Sequence, residues 1–464
     1  MLRGTLIGLL VIIILAGAAY FTLVYKPAVD PLPQGQAQTF DTALVAHGAE
    51  LAAIGDCTSC HTAPGGLPLA GGVAVPTPFG TIYSSNITPD PQTGIGRWTE
   101  AAFQRAMREG VDREGHFLYP AFPYDHFTHV TDDDNKALYA YLMTRQPANA
   151  EPPRTHLPFP YGVRTIMAGW NLLFLKKGPL PTESGQTAAW NRGRYLAEGL
   201  GHCASCHTPH NQFGAEDGDQ HFSGGMVIDG WYVYPINQKS PAPVKWDVAS
   251  LTSYLKHGFA QQHGASRGPM AQVTAELGSA NDADITALAT YVSAQMGAAA
   301  PGTGTPATTT TAAAEPSPPL TSGDSLAPPM VIKASADPGE AVFAAACSSC
   351  HEAGRPQPFG GLDFKQSTAV NADSPQNIIN MVLYGLPAPE GRTGPVMPGF
   401  AGALGQDQIV ALLGYMRSHF TGKPAWSNAA TLVADTISGK TRVRTYSADG
   451  IERMPGAGNS RTAP

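Results

Sequence analysis

Apolar residues recur at helical spacing in three stretches that carry one string. They read Ala137-Leu138-Tyr139-Ala140-Tyr141-Leu142, Ala287-Leu288-Ala289-Thr290-Tyr291-Val292 and Ala411-Leu412-Leu413-Gly414-Tyr415-Met416. Such spacing predicts an amphipathic helix in each. Polar starters precede the first two, Thr131-Asp132-Asp133-Asp134 and Asn281-Asp282, as helix N-termini prefer. Farther upstream lie three more helical stretches, each with a glycine: Gly48, Gly193 and Gly339. A different pattern opens the chain. From Leu6 to Tyr25 nearly every position is apolar, with Arg3 before the run. About twenty such residues suffice to span a bilayer, and Arg3 agrees with a cytoplasmic start. A cleaved signal peptide ending at Ala16-Gly17-Ala18 is the other reading. A membrane anchor over 1–30 is preferred, because Tyr20 to Tyr25 carries the run past that site. Either reading exports the chain.

The helical stretches flank three further repeats. All six cysteines fall in three Cys-x-x-Cys-His motifs: Cys57 to His61, Cys203 to His207 and Cys347 to His351. The motifs lie 146 and 144 residues apart. One helical turn presents both thiols to the two vinyl groups of a porphyrin, and the histidine then stands under the iron. A zinc site needs four ligands, usually from two such pairs, and a redox dithiol needs no histidine. The arithmetic predicts three covalent haem c groups held by Cys57 and Cys60, Cys203 and Cys206, and Cys347 and Cys350. Their proximal ligands are His61, His207 and His351. In bacteria this attachment takes place outside the cytoplasmic membrane, which points to its periplasmic face.

Composition fits. The 464 residues allow about three domains. Charged residues are 14%, with 51 glycines and 41 prolines, as in loop-rich units wrapped around a large apolar group. The net charge of −7 and the lack of a basic run argue against nucleic acid as a partner.

The spacing of helices, glycines and motifs resembles the class I cytochrome c fold, whose terminal helices cross at a small residue and close over the haem. The expected class is mainly α, an N-terminal transmembrane helix followed by three class I cytochrome c domains. Domain one covers 38–150, a connector 151–186, domain two 187–296 and domain three 338–420. Residues 297–337, rich in Ala, Thr and Pro, are expected to form a flexible linker that leaves domain three the freest to move. The tail, 421–464, carries no legible chemistry; packing on a partner is its expected role.

The repeat also locates distal ligands. Three helical stretches end at Gly110, Gly258 and Gly385, and twelve residues beyond lie Phe122, Met270 and Met397. Methionine is a common second ligand in electron-transfer cytochromes and raises the potential. Met270 and Met397 are therefore expected on the second and third irons. Phe122 cannot ligate, and His126, four residues on, is the expected substitute, giving a bis-histidine site of lower potential. Met107, His116, His129, Met143 or an open iron remain as alternatives. His202 and His210 beside the second motif are read as exposed loop residues. Asp132-Asp133-Asp134 is read as a helix start, and Trp98 and Trp246 as equivalent packing positions.

Longer strings carry a family resemblance: Thr77-Pro78-Phe79-Gly80-Thr81-Ile82-Tyr83-Ser84-Ser85-Asn86-Ile87-Thr88-Pro89-Asp90, then Thr93-Gly94-Ile95-Gly96, then Tyr119-Pro120-Ala121-Phe122-Pro123-Tyr124. The chain resembles the three-haem cytochrome c subunits of membrane-bound, quinone-reducing alcohol and aldehyde dehydrogenases of acetic acid bacteria and relatives. That resemblance implies electron transfer from a separate catalytic subunit to ubiquinone in the inner membrane. Phe122 to Phe127 favours the aldehyde branch, with a molybdopterin subunit and an iron–sulfur subunit as partners, over the branch with a PQQ subunit. No cysteine remains for an iron–sulfur cluster here. The alternatives are a peroxidase-like haem enzyme using an open first iron, and the cytochrome subunit of a terminal oxidase.

Overall fold

The apolar run at the N-terminus is helical. The computed structural model describes residues 2–33, 35, 38–298, 335–352, 362–387, 394–446 and 452–453. In it α1 spans Leu2–Ala19 and gives way to a π-helical turn over Tyr20–Val24. The 18 residues of α1 reach about 27 Å, against about 30 Å of bilayer core. Among the described residues no helix is long and apolar enough to cross a membrane. The transmembrane helix expected over 1–30 is thus not found among them. The segment after it is docked. The Val29 and Leu32 amides donate to the carbonyls of Arg113 (2.8 Å) and Arg97 (2.9 Å), and Val24 packs against Val111, Phe117 and Ala168.

The next helices are α2 (Thr42–Ile54), α3 (Cys57–His61), α4 (Glu100–Glu109), α5 (Tyr124–Phe127), α6 (Asp132–Met143) and α7 (Met167–Phe174). Then come α8 (Ala188–Tyr195), α9 (Ala204–His207), α10 (Val248–His257), α11 (Pro269–Leu277) and α12 (Asp282–Gln295). The last are α13 (Pro338–Ala346), α14 (Ser348–His351), α15 (Thr368–Asn371), α16 (Gln376–Tyr384), α17 (Gln406–Thr421) and α18 (Ala429–Ile437). Sheet among the described residues amounts to four two-stranded antiparallel ribbons. Two matter below: β1 (Ala74–Thr77) with β2 (Gly80–Tyr83), and β3 (Val227–Ile228) with β4 (Trp231–Tyr232). The protein is thus mainly α.

Side-chain caps start the helices that the polar residues announce. Asp41, Thr131, Asn281 and Asp337 each accept a hydrogen bond from a backbone amide in the first turn of α2, α6, α12 and α13, satisfying donors that would otherwise be orphaned. The repeated strings then meet the repeated glycines. Gly48 lies against Ala137 and Tyr141, Gly193 against Ala287 and Tyr291, Gly339 against Ala411 and Tyr415. In each crossing a methyl on the glycine would overlap the alanine carbonyl and stand 2.8 to 2.9 Å from the tyrosine Cβ. Only a residue without Cβ lets the two backbones approach this closely.

The chain divides into two compact units rather than three. The first is Met1–Gly185 with Tyr195–Ser205 and His210–Glu216; the second is Gln186–Arg194, Cys206–Pro209 and Asp217–Pro464. The second unit joins most of the segments expected as domains two and three. Asn377 exchanges two hydrogen bonds of 2.8 Å with the backbone of Tyr232, and the Asn380 amide donates to the Gly230 carbonyl at 2.8 Å. Described residues of domain three are thus bonded to those of domain two. Residues 299–334 of the expected linker lie outside the described residues. Part of the tail packs on its own chain. Val433 of α18 joins the core of Phe343, Ile379, Leu412 and Leu413, and the Trp231 indole donates to the Arg444 carbonyl at 2.8 Å.

The crossings give a test of opposite signs within one helix pair. Gly339→Ala overpacks α13 against α17 and is expected to cost about 1–3 kcal/mol. Gly414→Ala, whose new methyl meets nothing nearer than 4.0 Å, is expected to gain about 0.5–1 kcal/mol through helix propensity. Thermal unfolding of the two haem-loaded variants reads the difference; equal shifts would contradict the crossing geometry.

Candidate haem centres

Each motif folds as one helical turn, α3, α9 and α14, so its two cysteines and its histidine share a short arc of backbone. Cys60 and Cys350 are exposed and the other four cysteines half-buried. The residue before the first cysteine is left-handed in two of the three, Asp56 at φ 49° and His202 at φ 35°. That turn redirects the chain out of the preceding helix.

The histidines are oriented by backbone. His61 Nδ1–H donates to the Ser85 carbonyl at 2.7 Å, and His207 Nδ1–H to the Tyr234 carbonyl at 2.8 Å. Both carbonyls lie two residues past the second strand of a ribbon, β2 and β4. This bond fixes the tautomer and leaves Nε2 as the ligand atom. Burial pulls both imidazoles below the usual histidine pKa, against the raising effect of these bonds. The neutral form, which ligates metal, is thereby favoured. His351 is turned toward the Leu362 carbonyl without reaching hydrogen-bond geometry, and its Nδ1 is buried. These residues fit a haem in each motif, two thiols beside an imidazole, and in the first two motifs one imidazole nitrogen is held.

A glycine pair behind each ribbon makes the bond possible, and sequence reasoning missed it. Gly71 donates its amide to the His61 carbonyl at 2.7 Å, as Gly224 does to His207 at 2.8 Å. Both have positive φ, and a Cβ on either would meet the Ser85 or Tyr234 backbone at 2.5 to 2.6 Å. The signal in the sequence was Leu69-Ala70-Gly71-Gly72 beside Phe222-Ser223-Gly224-Gly225. Leu69 and Phe222 share positive φ as well. Gly360-Gly361 repeats the pair in the third segment but lies outside the described residues.

On the distal side, α4, α10 and α16 do end at Gly110, Gly258 and Gly385. Met270 is half-buried in the first turn of α11. Met397 is half-buried, and its amide and carbonyl both pair with Leu386 at 2.8 Å, pinning its loop to the end of α16. Phe122 packs edge-to-face on Phe127, with ring centroids 5.2 Å apart. His126 is buried, its Nδ1 bonds the Glu198 carbonyl at 2.7 Å and its Nε2 bonds the Glu216 carboxylate at 2.6 Å. Both nitrogens have partners in this structure, so the expected iron bond would require Nε2 to leave Glu216. Burial alone would lower its pKa, but the Glu216 bond and charge and the Asp125 charge raise it to about 9.

The alternatives are placed differently. His129 Nδ1 bonds the Gly178 carbonyl at 2.6 Å, His116 is exposed beside Asp112, Met143 is half-buried at the end of α6, and Met107 is buried on α4. His202 is no exposed loop residue: it bonds the Gly55 carbonyl at 3.4 Å and packs edge-to-face on Phe127, and burial, then the His126 charge, pull its pKa to about 4. His210 is exposed as expected. Trp98 and Trp246 differ in role. The Trp98 carbonyl accepts from the Tyr139 hydroxyl at 2.8 Å, whereas Trp246 stacks on His263 with centroids 3.6 Å apart. His263, which the sequence did not single out, is buried with both ring nitrogens unbonded.

A mainly α chain with Cys-x-x-Cys-His turns and backbone-oriented histidines is a c-type cytochrome. Residues 334–416 match the family model described as "Cytochrome C oxidase, cbb3-type, subunit III". A nicotinate dehydrogenase subunit of Pseudomonas putida is 40% identical over 415 residues, 89% of this chain and 33% of that protein. The chain thus spans a third of that relative's length. The fructose dehydrogenase cytochrome subunit of Gluconobacter japonicus is 34% identical, over 85% of this chain and 82% of that one. The cytochrome c subunit of the quinone alcohol dehydrogenase of Gluconacetobacter polyoxogenes is 32% identical, over 89% and 86%. The chain belongs to the family of cytochrome c subunits of dehydrogenase complexes; it binds haem c covalently and its role is electron transfer. The peroxidase-like and terminal-oxidase readings find no support. The relatives matched over 85% or more of the chain are dehydrogenase subunits, and the oxidase-type model matches the third cytochrome segment alone.

His126→Ala is expected to leave the axial-ligand spectrum of every haem unchanged while lowering stability by about 1–3 kcal/mol, because Glu216 loses its buried partner. Electron paramagnetic resonance of the oxidised chain checks it. Loss of one low-spin signal would restore His126 as a ligand.

Proposed function

We propose that this chain carries three haem c groups and passes electrons from a catalytic dehydrogenase subunit to ubiquinone at the periplasmic face of the inner membrane. The observation that carries the reading is the shared support of His61 and His207: one carbonyl on Nδ1, one glycine that lets it approach. When bound, haem c supplies one-electron centres, and a series of them spans distances that a single tunnelling step cannot.

The residues of the chain do the rest. Cys57 and Cys60, Cys203 and Cys206, and Cys347 and Cys350 hold the porphyrins. His207 with Met270, and His351 with Met397, form two His/Met pairs, a combination that favours reduced iron and raises the potential. His61 serves the first centre, where Phe122 stands at the distal place and presents an aromatic wall. A centre without methionine is expected to lie lower in potential than the other two. The bonds from Asn377 and Asn380 to β4 and Gly230 hold the second and third segments together, which keeps the separation of their centres constant.

The catalytic partner is a molybdopterin-binding subunit with an iron–sulfur subunit, on the resemblance at Phe122 to Phe127; a PQQ subunit is the second choice. Attachment to the membrane falls to the N-terminal segment, where Ile7, Leu9, Leu10, Ile14, Leu15 and Phe21 are all exposed and apolar enough to enter a bilayer.

Redox titration of the intact chain tests the assignment of the methionines. Met270→Leu and Met397→Leu are each expected to keep their haem and to lower one midpoint potential, a different one in each variant, while slowing ubiquinone reduction in the assembled complex. Potentials that do not move in either variant would contradict the two His/Met pairs.

A further inference from the structure

One cluster of titratable side chains in the first unit takes no part in holding haem. Asp125, His126 and Glu216 bring their ligand atoms within 4.8 Å of one another. The first two come from α5. Glu216 is held opposite by a backbone bridge to His210 that closes the loop after the second motif.

His126 is arranged as metal-binding histidines usually are. Its Nδ1–H is tied to a backbone carbonyl, that of Glu198, and Nε2 meets the Glu216 carboxylate. Charge in the cluster does not close. If Nε2 carries a proton, one imidazolium faces two carboxylates, and Asp125 has no ion pair and no side-chain hydrogen bond beyond its own amide among the described residues. Asp125 is raised in pKa by burial first, with Glu216 adding to the rise and His126 opposing it. A dication in place of that proton would balance both carboxylates with a neutral imidazole. One imidazole nitrogen and two carboxylate oxygens are a donor set suited to zinc and its first-row neighbours. His210, exposed at the rim, is close enough to interact with the charges of Asp125, His126 and Glu216 and is available as a fourth ligand. Entry of the ion requires the 2.6 Å contact between His126 and Glu216 to open to about 3.3 Å, the separation of two ligands on a tetrahedral zinc. That is a small movement for a glutamate side chain.

We propose that Asp125, His126 and Glu216 form a binding site for one divalent metal ion of the zinc class, separate from the haem centres, which fastens α5 to the segment that carries Glu216. The proposal does not depend on the identity of the electron donor or acceptor.

The test uses the haem-loaded full chain, purified without a histidine tag. It is dialysed against micromolar zinc chloride and then against buffer, and zinc and iron are counted in the same sample by mass spectrometry. About one zinc per chain is expected for the native sequence. Asp125→Asn and Glu216→Gln are each expected to lower zinc about tenfold, with iron unchanged. The iron count reports whether a variant has folded and kept its haems. Native chain that retains less than about a tenth of a zinc overturns the proposal by itself and leaves the cluster an ion pair alone. So does a folded variant that keeps as much zinc as the native chain, because the metal would then sit elsewhere.

Discussion

A histidine can serve a metal through one nitrogen only if the other is held still. Here the hold is a backbone carbonyl, and the carbonyl reaches its histidine only because a glycine leaves room for it. Gly71 and Gly224 each do two things at once: the amide takes the carbonyl of the motif histidine, and the absent side chain lets the strand after the ribbon pass. The motif turn, the glycine pair and the ribbon are therefore one device. Around it the helices close at crossings that again depend on glycine, Gly48, Gly193 and Gly339, each set against the alanine and tyrosine of the repeated string.

The device is repeated but its copies are not equal. Two segments carry a methionine where the chain returns past the helix end, and the first carries Phe122. The second and third segments also share hydrogen bonds that make them one unit, with the tail drawn along β4 through Trp231 and Arg444. A relay benefits from this, since electron transfer between neighbouring centres falls steeply with distance and tolerates little play. The segment that departs from the methionine rule also supplies Asp125 and the buried His126, which meet Glu216 from the loop after the second motif.

Much of this was legible in the sequence, and what was not has physical reasons. The helices showed through spacing and polar starters, and the crossing partners through the string at Ala137, Ala287 and Ala411, because those features are local. The bonds of His126 were not legible, because reach along a loop says nothing about what waits on the far side. Glu198 and Glu216 are distant in sequence from it, and only folding brings them to its two nitrogens. The bonding of the third segment to the second was not legible for a similar reason: residues 297–337 have a linker's composition, and the bonds of Asn377 and Asn380 lie outside that stretch. The apolar run at the N-terminus had the length for a spanning helix by count, but its α-helix ends at Ala19. His263, buried beneath Trp246, belongs to no repeat and could not have been found by comparing the three copies.

The central claim is that one chain holds three redox centres by the same covalent device. Intact mass of the mature chain after denaturation, with a haem count by the pyridine method, measures this most directly. The account predicts a mass increased by three haem groups that acidic acetone does not extract. A mass increased by two or fewer, or haem that leaves with the solvent, would contradict it.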